Sequence, residues 1–406
     1  MKFGRHTLLW ILGGVVLGAL TGGTFPAAGG KVGFLGEVFL NFLTMLAVPL
    51  VVTSMIVGVT NLGDLRKLGR MGWQTIAYYM ATTGISVAIG IILVNMIRPG
   101  EGLTAVAQGQ VQRGEFSLAQ VVVGFVPKNI FKAMAETKIL PLIVFSLLFG
   151  GALSATGGRG RIVVEFFRGA NEALMKLVGL VMYFAPLGVF GLVAERLGKA
   201  GGWEEFGPEL GKVLNYSLTV LVGLTLHGVV VLPFILWAVG RRNVSSYASN
   251  LSPALATAFS TASSSATLPV TIECVVRRNE VSEEVAGFVL PLGATINMDG
   301  TALYEAVAAI FISQVYNIPL SPVQQIVVFI TATLASIGAA GIPQAGLVTM
   351  VMVLKAVDLP LEGIAMLLSV DWFLDRFRTT VNVWGDSVGS AVLERLRSGE
   401  VEDEVS

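Results

Sequence analysis

Apolar stretches long enough to cross a bilayer recur along this chain: "LLWILGGVVLGAL" (8–20), "NFLTMLAVPLVVTSMIVGV" (41–59) and "VLVGLTLHGVVVLPFILWAV" (220–239). A helix needs roughly 20 such residues to span the hydrocarbon core. The pattern predicts an all-α polytopic membrane protein. Composition agrees, because only 13% of the 406 residues are charged and mean hydropathy is +0.75, whereas a soluble protein carries charge at about one residue in four. Lys2 and Arg5 ahead of the first run predict an uncleaved first helix with a cytoplasmic N-terminus, and "DLRKLGR" (64–70) and "GRRN" (240–243) should be cytoplasmic too. The mixed-charge tail "ERLRSGEVEDEVS" reads as a solvated end, also cytoplasmic. One cysteine, Cys274, gives neither an internal disulfide nor a metal cluster. With two histidines, His6 and His227, a histidine metal site or proton relay is not expected, and both Cys274 and His227 read as inert packing residues. Zero net charge without a basic patch gives no reason to invoke nucleic acid.

Six ordinary spans are read at roughly 8–25, 34–61, 73–98, 118–155 (long and broken), 164–195 and 212–239. Beyond Arg242 the runs shorten. Residues 250–276 are two apolar arms around "SSSATLP"; 282–315 is a longer segment broken at "NMDGT"; 321–354 is again two arms, around "SIGAAGIP"; and 362–397 is a charged helix. Pro269 lies 28 residues before Asn297, and Pro343 lies 28 before Asp371, which suits an internal repeat. Transporters built from repeats bring interrupted helices together near the midplane. Irregular backbone at membrane depth is tolerated only where protein or a cavity covers it. The three breaks should therefore converge on one cavity.

"DWFLDRFRTTVNVWGD" (371–386) gathers three aspartates and two arginines in an oily chain. At about 100° per residue, Asp371, Asp375, Arg378, Asn382 and Asp386 fall within an arc of roughly 80°. A cytoplasmic amphipathic helix with a solvated face is the plainer reading. Against it, a charge at the bilayer centre costs at least ~2.5 kcal/mol, so such a stripe is kept where it meets partners, ions or substrate. Arg378 offers a fork that matches a carboxylate bidentately, and Asp375 one turn earlier can take an ammonium group. A second carboxylate would suit backbone N–H groups at the serine-rich tip. Asp386 with Asn382, and Asp299 with Asn297, are hard oxygen donors suited to Na⁺. Asp371 reads as a residue that orients Asn297 or another ligand.

Together, "SSSATLP", "NMDGTALYE", "ASIGAAGIPQAG" and "DWFLDRFRTTVNVWGD" resemble the glutamate transporter family of dicarboxylate and amino acid:cation symporters, over nearly the whole chain. The resemblance implies eight transmembrane helices and two re-entrant helical hairpins, with inverted repeats, a homotrimer and elevator-type transport gated by the second hairpin. It divides the chain into a scaffold (1–72 and 99–200) and a transport domain (73–98 and 201–406). It implies substrate contacts at Ser263, Ser264, Ser265, Thr301, Ile342, Gly346, Asp375, Arg378, Thr379 and Asn382. For Na⁺ it implies one site at Gly293, Asn297, Asn382 and Asp386. A second lies at Thr295, Met298, Ser336, Ile337 and Ala339, and a third at Tyr79, Thr82, Thr83, Asn297 and Asp299.

Two departures from archaeal members concern coupling. Ala262 stands where those members carry an arginine, and Arg376 takes the position that mammalian excitatory transporters use instead. Glu305 stands where purely Na⁺-coupled members have glutamine, in an apolar arm where a carboxyl group can carry a proton near neutrality. Proton symport is the expectation, and K⁺ counter-transport is left open. The short loop near 153–161 lacks the large insertion of animal members, which points to a prokaryotic source and the inner cell membrane.

Na⁺-coupled uptake of L-glutamate or L-aspartate leads. The runner-up is a C4-dicarboxylate (succinate, fumarate, malate) or neutral amino acid carrier of the same fold. No enzyme is expected. An intramembrane serine protease would lean on His227 without a Gly-x-Ser-x-Gly context, and an Asp299–Asp386 dyad reads better as ion ligands. A plain channel would carry current without stoichiometric uptake.

Overall fold

The structure, a computed structural model, describes residues 5–61, 69–101, 123, 126–200, 202–203, 206–337 and 345–405. Among the described residues there are helices and short turns but no strand. The first half holds α1 (Arg5–Thr24), α2 (Pro26–Asn61), α3 (Gly69–Ile97), the single-turn α4 (Ile130–Ala135), α5 (Ile139–Ala155) and α6 (Arg161–Ala200). Pro26 opens α2, where the missing N–H costs nothing. The stretch Gly157–Val181 meets Tyr183–Lys199 at 49°. The cause is Pro186, which cannot bond the carbonyl four residues earlier, at the bend.

The second half begins with α7 (Phe206–Thr225), which passes through a wide π turn (Leu226–Val231) into α8 (Leu232–Ala238). Next come α9 (Val244–Thr261) and α10 (Ser264–Glu273), then α11 (Glu283–Ile296) and α12 (Asp299–Val315). Last are α13 (Pro322–Ser336), α14 (Ala345–Ala356) and α15 (Ile364–Val405). The mixed-charge tail continues α15 as helix to Val405.

Among the described residues three helices are long and apolar enough to cross a membrane, Pro26–Thr60, Met71–Ile97 and Gly211–Ala238, and the bent pair makes a fourth if counted as one. The expected number was eight. α15 carries too much charge to qualify by apolarity, and the arms on either side of each break are individually too short. Much of the expected 118–155 span lies outside the described residues.

The arm–tip–arm readings have direct counterparts. α9 and α10 lie side by side, and at their open end Asn250 Nδ2 donates to Arg278 O at 2.8 Å and Asn279 Nδ2 to Tyr247 O at 3.3 Å. The turn is tighter than expected. Ala262 closes α9 in the left-handed region at φ 49°, and Ser263 caps α10 by accepting from Ala266 N at 3.1 Å. Ser264 and Ser265 thus belong to the first turn of α10, not to a loop. α13 starts with a capping box between Ser321 and Gln324. The tip between α13 and α14 lies outside the described residues. "NMDGT" breaks the long segment as expected: α11 ends at Ile296, Asn297 and Met298 are non-helical, and Asp299 opens α12.

Packing falls into two sets. α1, α2, α5 and α6 pack on one another, and α3 packs with α7–α15. At the centre of the second set every residue of α12 from Asp299 to Ser313 is buried, the polar Asp299, Thr301 and Glu305 included. The sets touch where Gly58 of α2 faces Ile337: an added Cβ there would sit 3.3 Å from Ile337 O.

Candidate functional site

The predicted stripe on α15 faces inward. Asp371, Asp375, Arg378, Asn382 and Asp386 are all buried, and Arg378 and Asp371 are fully enclosed. The solvated-face reading therefore fails, for α15 packs on α9, α11 and α12 along that stripe. Side chains on a helix slant toward its N-terminus, and Arg378 reaches back two turns. Its Nη2 hydrogen-bonds Asp375 Oδ1 at 2.8 Å and ion-pairs with Asp371 Oδ1 at 2.9 Å. Of the two expected alternatives, Asn297 or another ligand, Asp371 pairs with the other, Arg378. The guanidinium stacks 3.8 Å from the ring centre of Tyr304. Its Nε and Nη1 have no hydrogen-bond partner among the described residues. Gly346 leaves that side open: a Cβ there would be 3.0 Å from Nη1.

The start of α12 is stitched to α15 beside this arginine. Gly300 N donates to Asn382 Oδ1 at 2.8 Å, and Asn382 Nδ2 donates to Thr301 Oγ1 at 3.3 Å. Thr379 is buried on the same face. One turn further along α12, Glu305 is fully enclosed and accepts a hydrogen bond from Thr349 of α14. The first hairpin reaches the same helix through Arg376, whose Nη1 donates to Phe259 O at 2.9 Å and Ser260 O at 3.0 Å, the carbonyl end of α9. Cations at a helix C-terminus are favoured by its dipole and orphan carbonyls. Of the tip serines, Ser263 and Ser264 are buried and Ser265 is exposed.

A second cluster gathers oxygens where the "NMDGT" break meets α3. Thr83 Oγ1 donates to Asp299 Oδ1 at 2.7 Å, and Thr82 Oγ1 lies 3.3 Å from both Asp299 Oδ1 and Asn297 Oδ1. Ser86 Oγ donates to Asp299 O at 2.8 Å. Asn297 Nδ2 donates to Asp386 Oδ1 at 3.0 Å, and Gly293 leaves room for that carboxylate, which a Cβ there would overlap. Tyr79 enters differently from a hydroxyl ligand: its O–H donates to Val289 O at 2.6 Å, so only its carbonyl turns toward Thr82, at 3.3 Å. Around Asp386, Tyr78 and Tyr247 donate to Gly385 O at 3.0 Å and Ser387 O at 2.7 Å.

The remaining predicted site is only partly visible. Met298 is buried, while Thr295 and Ser336 spend their hydroxyls on Leu292 O at 3.0 Å and Thr333 O at 2.8 Å in their own helices. Ile337 is buried. Ala339 and Ile342 lie outside the described residues.

Sequence reasoning did not name Tyr304, Thr349 or Ser86 as participants, and it misread one more. His227 is not inert packing: it is fully buried and its Nε2 lies 2.9 Å from Asp299 Oδ2. An ionisable group in the apolar run "LTLHGVVVLPF" was the available signal. Cys274 is simply buried.

A model of the sodium:dicarboxylate symporter family matches residues 8–396. The chain belongs to that family. Similar relatives include excitatory amino acid transporter 1 of Ambystoma tigrinum, 40% identical over 426 residues, covering 91% of this chain and 78% of the relative. Excitatory amino acid transporter 3 of Homo sapiens is 39% identical over 423 residues, covering 91% and 80%. Excitatory amino acid transporter 2 of Mus musculus is 38% identical over 466 residues, covering 99% and 81%. The symporter is a multi-pass helical membrane protein and not an enzyme, so the buried carboxylates need no role in bond cleavage.

Proposed function

We propose that this symporter drives acidic amino acids, L-glutamate or L-aspartate, into the cell on the Na⁺ gradient. The observation that carries the reading is the half-used guanidinium of Arg378. Nη2 is held by two carboxylates, while Nη1, without a hydrogen-bond partner among the described residues, lies beside Gly346. Nη1 and Nη2 make the guanidinium's end-on fork, which a substrate carboxylate accepts bidentately by displacing Asp375 from Nη2. When it docks, Asp375 is freed to take the ammonium group, and Asp371 keeps the buried guanidinium paired. Thr379, Asn382 and Thr301 line the same face, and Ser263–Ser265 at the start of α10 offer helix N-terminal N–H groups for the second carboxylate. Gly346 and Ile342 would close the site from the second hairpin.

Na⁺ fits the donor chemistry as cargo. Asp299, Thr82, Thr83 and Asn297 bring hard oxygens together, as do Asp386, Asn382 and Asn297 with Gly293 beside them. Thr295, Met298, Ser336, Ile337 and Ala339 form the third proposed group. Glu305, enclosed and bonded through one oxygen among the described residues, is the proposed proton carrier, and Arg376 the cation that steadies the first hairpin. K⁺ return on the empty carrier belongs to the same proposal. The two packing sets support an elevator in a homotrimer, with 1–72 and 99–200 as scaffold and 73–98 and 201–406 as the moving part. The same proposal puts both termini in the cytoplasm of a prokaryotic cell and the protein in its inner membrane.

The second reading, a C4-dicarboxylate carrier, draws on the family's own description. A dicarboxylate has no use for Asp375 as an ammonium partner. Uptake into proteoliposomes with Na⁺, H⁺ and K⁺ gradients varied independently tests both, with L-aspartate, L-glutamate and succinate in competition. Succinate uptake without L-aspartate binding would reverse the ranking. Unchanged internal pH during uptake, together with indifference to Glu305→Gln, would remove the proton.

A further inference from the structure

His227 forms a fully enclosed pair with Asp299, and the transport scheme above leaves the histidine without a task. The two oxygens of Asp299 are divided. Among the described residues Oδ1 takes the threonine hydroxyls, 2.7 Å from Thr83 and 3.3 Å from Thr82, and Oδ2 takes His227 Nε2, at 2.9 Å. Nδ1 of His227 is buried with no partner among the described residues. A hydrogen on Nδ1 would thus be an unmet donor, while a hydrogen on Nε2 is met by the carboxylate, and the pair selects the Nε2–H tautomer.

The histidine is presented by an unusual piece of backbone. It lies in the π turn Leu226–Val231, just ahead of Pro233, and such turns gather at functional sites. The turn is fastened to α15, since Trp384 Nε1 donates to Gly228 O at 2.9 Å, two residues before Asp386. We propose that His227 is the positioning residue of the Asp299 carboxylate: by holding Oδ2 it keeps Oδ1 aimed at Thr82 and Thr83 and so sets the affinity for sodium there.

The chemistry requires such a holder. A hydroxyl that lends its oxygen to a cation must send its proton elsewhere, and Thr82 has Tyr78 O at 3.1 Å as that second acceptor. Once the hydroxyl protons turn away, His227 is the side-chain donor left on Asp299. Its nitrogen is no sodium ligand, because Nε2 carries the shared hydrogen. Removing an orienting partner of a metal-binding carboxylate costs about 10–100-fold in affinity.

This rests on reading Asp299 as an ion ligand, and the experiment separates the two claims. The thermal midpoint of purified full-length protein is followed against NaCl, with choline chloride holding ionic strength and no substrate present. Uptake in proteoliposomes supplies the half-saturating Na⁺. In His227→Leu both Na⁺ midpoints should rise about tenfold or more, while His227→Gln, which keeps an N–H, stays within about threefold of wild type. A lower melting temperature at every Na⁺ concentration with an unchanged Na⁺ midpoint would mean plain packing and overturn the proposal. A wild-type protein that Na⁺ does not stabilise, and whose uptake ignores Na⁺, would bring down the ion reading itself. If His227→Leu does not fold, His227→Asn against His227→Gln repeats the comparison, and wild-type Na⁺ midpoints in both overturn it.

Discussion

α1 against α6, and α12 against α15, are both tight helix contacts, yet they are built from opposite materials. On α1, Gly14, Gly18 and Gly22 recur every four residues, and a Cβ at each would overlap the carbonyls of Pro186, Phe190 and Ala194. Backbones meet there with nothing between them, the small-xxx-small packing that suits lipid, where no hydrophobic force joins helices. Between α12 and α15 the contact is instead crowded with Asp299, Asn297, Asn382, Asp386 and Arg378, all buried. A fold needing only adhesion would use the first solution everywhere. Placing five costly polar groups in the second contact makes sense only if they act on something that enters and leaves.

The sharpest way to break the comparison is Arg378→Lys. Lysine keeps the charge, so Asp371 and Asp375 retain a counter-ion and the loss of about 3–5 kcal/mol expected from an unpaired buried charge is avoided. It lacks the fork, and losing two charge-assisted bonds to a carboxylate should weaken acidic substrate by about 10²-fold or more. Competition uptake checks this, with protein yield and melting temperature near wild type. If affinity barely changes, the polar seam is structural after all.

Next in size is Asp299→Asn, which keeps the shape and removes the charge that Thr82, Thr83 and His227 surround. The Na⁺ concentration for half-maximal uptake should rise by about tenfold or more, with the affinity for substrate at saturating Na⁺ changing less. Measuring both in one proteoliposome preparation separates an ion ligand from a residue that merely props up the substrate site.

The stripe behind these two predictions was legible because polar residues spaced 4, 3, 4 and 4 stand out against an apolar helix. The break at "NMDGT" was legible for the same reason, an Asn, an Asp and a Gly in an otherwise oily segment. Pairings within the site were not. Asp371 and Arg378 share a face at i and i+7, but a helical wheel does not say that an arginine leans back two turns to join them. His227 was misread because its role depends on a π turn that re-aims the side chain, and the 3.6-residue period assumed for "LTLHGVVVLPF" hides such a turn. Tyr79 was named for the third Na⁺ site without saying which of its oxygens would serve, and the packing of α3 on α11 directs its hydroxyl to Val289 O.

Gly22→Val tests the other contact. The new side chain would have to push α1 off Ala194, and overpacking of this kind costs about 1–3 kcal/mol. The melting temperature in detergent should fall, while the Na⁺ and substrate midpoints of the protein that remains folded stay at wild-type values. A shift in those midpoints would mean that the two packing sets are energetically one unit.

Tyr247→Phe has the smallest expected effect and discriminates most finely. Its O–H donates to Ser387 O at 2.7 Å, and Tyr78 donates to Gly385 O at 3.0 Å, so the carbonyls on both sides of Asp386 are pinned. Ser387 O also keeps its helical partner one turn on, so removing the tyrosine hydroxyl strands no acceptor. The loss should be near the lower end of the net value of a hydrogen bond, about 0.5 kcal/mol. If the pins serve only adhesion, that small loss appears in melting temperature alone, as for Gly22→Val. If they hold Asp386 for sodium, the Na⁺ midpoint of uptake moves as well, by about twofold for the same energy. A twofold Na⁺ shift with a barely altered melting temperature would place Tyr247 with the polar seam, and the reverse would place it with the glycine contacts of α1.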